Sequence, residues 1–265
     1  MSRALPILMY HHVSPAPGLV TLSPTQFRDQ VAALARDGWQ TVGTGELEAF
    51  LAGQPLPPKR LMITFDDGYL DNYLHAHPVL AEFGMRAVLF LVTAWIGDGP
   101  RRSGGDTPDH RECKRRIAAG AADEVIVRWS EIEAMQVAAT FEFHSHTHTH
   151  TRWDQQLSDP AARRDALVAD LTASRATLRQ RLGIDDAHLC WPQGYYQPDY
   201  LPLARELGFR YYYTTRHGTN GPHQAPDELQ RLVAKDKSGD WLTRRLWLHA
   251  GTARATAYRW LRGGQ

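Results

Sequence analysis

The sequence predicts an α/β fold of a single domain, in which parallel strands and crossover helices wind into a barrel, complete or distorted. Short apolar runs alternate with helical patterns along nearly the whole chain, giving six or seven β/α units. Such alternation implies parallel strands joined by helices. The length, 265 residues, suits one large domain with a substantial core, so these units favour one barrel over two small sheets. Polar residues of chemical interest also fall where the apolar runs end, and a β/α barrel gathers its strand ends on one face.

Taken in order, the segment 5–13 is apolar, rich in strand formers, and closes on Tyr10-His11-His12. Ser23-Pro24-Thr25-Gln26 combines an N-cap, a proline at the first helical position and a Gln at N3. Phe27, Val31, Leu34 and Ala35 follow at helical spacing, and the helix should stop near Gly38. A short helix is expected over 45–51, then a turn-rich connector from Gly53 to Pro58 leads into the strand Leu61-Met62-Ile63. The alternation continues with a helix over 69–83 ended by Gly84, a strand at 87–92, a helix at 130–138 and a strand at 141–143. An amphipathic helix over 159–182 capped by Gly183, a strand at 189–191, a helix at 200–207, a strand at 210–214 and a last strand at 229–234 complete it. Residues 97–128 break the rhythm as a basic, glycine-rich insertion, open to being a lid or a plain surface excursion. Within it His110 and Cys113 lack further ligands, so we read a free thiol beside an unrelated histidine.

Composition narrows the function classes. A hydrophobic content of 43% is ordinary for a globular protein, and a formal charge of +1 gives no reason to expect nucleic acid. Two cysteines, Cys113 and Cys190, do not make a disulfide framework and fit reduced thiols. The first residues lack a secretory apolar region, and nowhere do about eighteen apolar residues run together. We therefore expect a cytoplasmic protein without export signal or membrane span.

The chemistry centres on Thr64-Phe65-Asp66-Asp67-Gly68-Tyr69. Adjacent residues on a strand face opposite ways, but the glycine allows a sharp turn that brings both carboxylates to one cavity. Two like charges held close push their pKa values apart, which suits one to a metal and the other to proton transfer. On its own the tetrapeptide Asp66 to Tyr69 also reads as a solvated turn. Downstream, residues 143–150 read Phe-His-Ser-His-Thr-His-Thr-His. Histidines four apart share a metal across a helical turn, and histidines two apart do so along a strand, so spacing leaves the ligand pair open. The carboxylates at an earlier strand end make a metal site the better explanation of the histidine tract.

Thr64-Phe65-Asp66-Asp67-Gly68, followed by Ser145-His146-Thr147-His148-Thr149-His150, resembles the NodB-homology polysaccharide deacetylases, carbohydrate esterase family 4. Their second motif is His-Ser/Thr-x-x-His, which His146 to His150 fits. The resemblance runs over about 6–233, and the opening Met-Tyr-His-His-Val is most similar to the permuted branch that deacetylates poly-N-acetylglucosamine. It implies a distorted (β/α)7-type barrel spanning 1–240, with 97–128 as insertion or lid. It implies that Asp67, His146 and His150 hold one divalent metal and that Asp66 is the general base. Such a metal polarises an N-acyl carbonyl and lowers the pKa of bound water from about 15.7 to roughly 7.

Cys190-Trp191-Pro192-Gln193-Gly194 matches the family's Arg-x-Pro-x-Gly except at the arginine, so what orients the base is left unnamed. By the match, the oxyanion donor is the backbone N–H of Gln193. Trp191 and Tyr195 are expected at the substrate, Trp191 either walling the acyl pocket or serving as core. For the general acid, Leu246-Trp-Leu-His249 matches the family's late motif, whereas the permuted branch takes its histidine from Tyr10-His11. We favour His11 over His249, with His12 orienting it or binding substrate. His144 is expected behind the metal ligands, His148 pointing away, and Asp236 within reach of a site histidine.

Residues 241–265 interleave arginines with Trp241, Trp247, Tyr258 and Trp260, a basic aromatic helix that fits either the cytoplasmic face of an anionic inner membrane, through 241–262, or the outside of the barrel. The expectation is thus a metal-dependent N-deacetylase of an amino sugar, acting on envelope glycan or lipid-linked sugar, with zinc foremost and cobalt, nickel or iron admitted by mixed ligation. The rivals are an amidohydrolase of another C–N bond and a silent carbohydrate- or metal-binding module.

Overall fold

The structure, a computed structural model, describes residues 4–249. Seven parallel strands close a ring: β1 (Ile7–Tyr10), β2 (Arg60–Asp67), β3 (Ala87–Leu91), β4 (Phe141–Ser145), β5 (His188–Cys190), β6 (Tyr211–His217) and β7 (Leu229–Val233). β1 pairs on one side with β2, Leu8 opposite Ile63, and on the other with β7, Leu8 opposite Leu232. The α-helices longer than four residues are α1 (Pro24–Arg36), α2 (Thr44–Leu51), α3 (His77–Glu82), α4 (His110–Ala118), α5 (Trp129–Val137), α6 (Pro160–Leu182), α7 (Tyr200–Glu206) and α8 (Gly239–His249). The ring is uneven. β4 and β5 share the single register pair Ser145 and Leu189, and Asp186 stitches that seam by accepting from Ser145 N at 2.7 Å and His188 N at 2.9 Å.

Strand periodicity sorts the side chains. Ile7, Met62, Val88, Phe90, Cys190, Tyr213 and Leu229 form one buried cluster inside the barrel, closed below by Leu47, Phe50 and Leu51 of α2. The alternate set, Leu8, Ile63, Phe65, Leu89, Leu91 and Phe143, packs outward against helices. Most expected elements appear within a residue or two where a cap announces them. Ser23 Oγ accepts from Gln26 N at 3.3 Å, Asp159 accepts from Ala162 N at 2.7 Å, and Gly183 ends α6 in the left-handed region at φ 70°.

Three elements differ from expectation. The strand expected to stop before the carboxylates runs through both of them, Asp66 pairing with Phe90 and Asp67 with Leu91. The helix expected over 69–83 is split into a wide π turn, Asn72–Ala76, and α3. Pro78 has no N–H for the i−4 ladder, so the turn before it widens. The insertion 97–128 carries α4 and is tied down: Arg102 donates to both Glu131 oxygens, at 2.8 and 2.6 Å, and to the carbonyls of Asp123 and Ile126. Cys113 of α4 is a buried free thiol in the core.

At the C-terminal end, α8 lies against α1 with Leu242 and Leu246 buried. Residues 250–265, among them Tyr258 and Trp260, lie outside the described residues. No described helix is long and apolar enough to cross a membrane.

Candidate active site

β2 ends on the feature that organises the mouth of the barrel. Asp66 continues the inward series of Met62 and Thr64, while Asp67 takes φ 77° and Gly68 φ 84°. Two successive left-handed residues bend the chain at the strand end, and an aspartate tolerates the strain better than a bulkier residue would. The bend begins at Asp67 itself, one residue earlier than the glycine suggested.

Across the mouth, the chain after β4 folds back in a turn rather than continuing as a strand. Thr147 has φ 66° and His150 φ 60°; Thr147 N donates to Ser145 Oγ and His150 N to Thr147 Oγ1, both at 3.0 Å. The turn puts the rings of His146 and His150 4.8 Å apart and sends His148 to Thr93, Nδ1 to Oγ1 2.8 Å. The four-residue pair is therefore the one brought together. His146 Nδ1 donates to the Cys190 carbonyl at 2.8 Å, which turns Nε2 toward Asp67.

Asp67 Oδ1 lies 3.4 Å from Nε2 of both His146 and His150, and one atom from each of the three falls within 4.8 Å of the others. That Oδ1 is buried without a hydrogen-bond partner. An orphaned carboxylate oxygen facing two imidazole nitrogens, at about the edge length of a tetrahedron with bonds near 2.1 Å, fits a divalent cation. Burial opposes the charge of Asp67, but His150, His146 and Lys114 hold its carboxyl well below the ordinary value. Burial likewise pushes His150 down to about 3, keeping it an unprotonated donor of a lone pair.

Asp66 has a partner that the sequence did not reveal. Arg231 of β7 donates from Nη1 to Oδ1 at 2.7 Å and from Nη2 to Oδ2 at 2.8 Å. The same Nη2 lies 3.2 Å from Cys190 Sγ. The guanidinium of Arg231, from another strand, thus lies over the small side chain of Cys190, where the motif that the sequence resembles has an arginine. Its signal was an arginine at an inward position of the apolar run Leu229 to Val233, where a charge must be paired. Burial works against the Asp66 charge, yet Arg231 and His11 hold it below the ordinary carboxylate value.

His11 sits between β1 and a short two-residue ladder, Nε2 3.8 Å from Asp66 Oδ2. His249 lies elsewhere, on α8, its ring 5.2 Å from that of His217. Gln193 occupies the turn after β5 at φ 56°, its Oε1 accepting from Arg152 at 3.1 Å. Tyr195 is 62% exposed, with the Arg152 guanidinium 4.6 Å over its ring. Trp95 lies 5.4 Å from His150 and carries Lys114 5.0 Å over its ring. Each of these two aromatic rings thus carries a stacked cation.

Several expected roles change. Trp191 follows Cys190, which points inward, and therefore faces outward, fully buried among Leu167, Leu171 and Tyr200; it is packing, not a substrate surface. His12 is completely buried, its Nδ1 2.7 Å from Asp71 Oδ2 and its Nε2 3.1 Å from His110 Nδ1, so it binds no substrate itself. His144 does not back the ligands but joins Asp186, at 2.7 Å, lower in the barrel. Asp236 accepts from Ser23 N and Oγ instead of a site histidine.

A family model described as polysaccharide deacetylase matches residues 53–212. The chain is similar to YxkH of Bacillus subtilis, 39% identical over 94 residues, which are 35% of this chain and 33% of that protein. It is also similar to the poly-beta-1,6-N-acetyl-D-glucosamine N-deacetylase of Escherichia coli, 24% identical over 231 residues, 83% of this chain and 34% of that protein. The chain spans about a third of the length of these two relatives. Among solved structures, IcaB from Ammonifex degensii superposes with a TM-score of 0.73 at 25% identity, covering 91% of this chain and 96% of that one.

Proposed function

The chain belongs to the polysaccharide deacetylase family, and on that premise we propose that it is a metal-dependent N-deacetylase of an N-acetylglucosamine glycan. The observation that carries the proposal is the orphaned Asp67 Oδ1 facing His146 and His150 beside an ionised, arginine-clamped Asp66. Similarity to a poly-N-acetylglucosamine deacetylase over most of the chain supports the choice of sugar. A lipid-linked substrate would draw on 241–265, of which the described part is packed on α1. The missing family arginine favoured a silent module, and Arg231 removes that reason.

Asp67, His146 and His150 would hold the cation, zinc by ligand chemistry, with cobalt, nickel and iron compatible. When bound, it would polarise the acetamide carbonyl and acidify a water. Asp66 takes the proton of the attacking water, kept ionised and aimed by the two bonds from Arg231. The Gln193 N–H, presented by the left-handed turn before Gly194, donates to the oxygen that gains charge. His11, on the other side of Asp66, hands a proton to the departing amine. Tyr195, exposed, offers a flat face for a neighbouring sugar.

Acetate release from a β-1,6-linked N-acetylglucosamine oligosaccharide tests this. The wild type with zinc should release acetate, and Asp66→Asn should be slower by about 10²–10⁴-fold with its metal retained. An Asp66→Asn protein as active as wild type would remove Asp66 from the role of base.

A further inference from the structure

The insertion reaches the mouth through one residue that the chemistry above does not use. His110 opens α4, half-buried, and is close enough for Asp67, His11 and Lys114 to act on its charge. Behind it runs a buried relay. Asp71 Oδ1 accepts from Val13 N at 3.1 Å and Asn72 Nδ2 at 2.8 Å, and Oδ2 faces His12 Nδ1 at 2.7 Å. His12 is stacked 3.7 Å on Tyr69, and its Nε2 meets His110 Nδ1 at 3.1 Å.

The proton positions follow from the donors and acceptors. A carboxylate oxygen accepts only, so His12 carries its hydrogen on Nδ1 and offers a lone pair at Nε2. His110 must then donate from Nδ1, and its own lone pair is fixed at Nε2 on the far side of the ring. The Tyr69 hydroxyl, 3.4 Å from the same Nδ1, is left to donate to Asp67. Burial, with His12 and Lys114 nearby, pushes His110 down to about 4, so the ring is neutral near pH 7.

We propose that His110 is a substrate-contacting residue, locked by Asp71 through His12 as a hydrogen-bond acceptor, and that it receives a hydroxyl or N–H of the amino-sugar glycan at Nε2. The substrate class rests on the deacetylation proposed above. The contact also gives the insertion a task, because it carries the acceptor to the mouth beside Lys114.

The test uses the full chain with zinc, carrying Asp66→Asn so that substrate is not consumed, and reads the Kd of a β-1,6-linked N-acetylglucosamine pentasaccharide by calorimetry. His110→Ala should weaken binding about tenfold. His110→Gln, whose carbonyl accepts in the same place, should recover most of it. Asp71→Asn keeps the contacts on Oδ1 but presents an N–H to His12, reversing both tautomers, and should weaken binding as His110→Ala does. Added to His110→Gln, it should cost nothing further. Should His110→Ala fold poorly, the two Asp71→Asn comparisons decide. Unchanged binding by His110→Ala, no binding by the parent, or an equal cost of Asp71→Asn in the His110→Gln protein, as from a mere staple of the insertion, would overturn the inference. Acetate release by the chain with Asp66 intact is measured in parallel, and its failure would count against the deacetylation separately.

Discussion

At the scale of single residues, a base at Asp66, as proposed, must stay ionised in a buried site and point at one place. Arg231 meets both needs with a two-point contact that a lysine cannot reproduce. Both partners are buried, so removing the cation leaves an unpaired charge. Arg231→Met should destabilise by about 3–5 kcal/mol, and adding Asp66→Asn should restore a large part; urea unfolding of the two proteins measures this. Arg231→Lys should keep the fold better than it keeps acetate release. Asp66, Asp67, His146 and His150 could be picked out because a carboxylate pair and a histidine tract both fall at strand ends and together match the motifs of one family, whereas either alone also reads as a plain turn. Arg231 could not be, because its partner lies 165 residues away and only the closure of the ring between β7 and β1 makes them neighbours. His12 misled for a related reason: adjacent to His11 in sequence, it turns the other way, into the buried relay.

At the scale of elements, the site depends on turns more than on strands. The turn after β5 is fixed by Gly194 at φ 74°, where a Cβ would run into the backbone N and Oγ1 of Thr215. Gly194→Ala should therefore displace the Gln193 N–H, costing about 1–3 kcal/mol of stability and lowering acetate release while bound metal stays constant; melting curves and metal content separate the effects. Helices with explicit caps, at Ser23, Asp159 and Gly183, were legible from local chemistry. Two adjacent aspartates look like a strand's end, whereas β2 keeps pairing through them with its neighbour β3. The split of the helix over 69–83 was announced by Pro78, whose lost hydrogen bond is absorbed as a wide turn instead of a break.

At the scale of the whole molecule, alternation and length pointed to a parallel barrel, and the closed ring of seven strands with the family match bears that out. Its uneven closure, the thin seam between β4 and β5, has no sequence signature, because Asp186 fills it from a loop. Buried charge also sets the acid response. His110 has a folded value of about 4 against an ordinary 6.5, so the unfolded chain takes up its proton first as the pH falls. The stability it gives is complete above 6.5 and is lost toward about 4. Asp66, also held below its ordinary value, adds a loss in the same direction at lower pH. The metal-free chain should thus melt at a lower temperature at pH 5 than at pH 7, and His110→Gln should make that slope shallower. The central claim, that a cation held by Asp67, His146 and His150 serves deacetylation, is tested most directly by acetate release from the N-acetylglucosamine oligosaccharide before and after chelation. We predict that chelation abolishes release and that one equivalent of zinc restores it in wild type but not in His146→Ala; release that survives complete removal of metal would contradict the account.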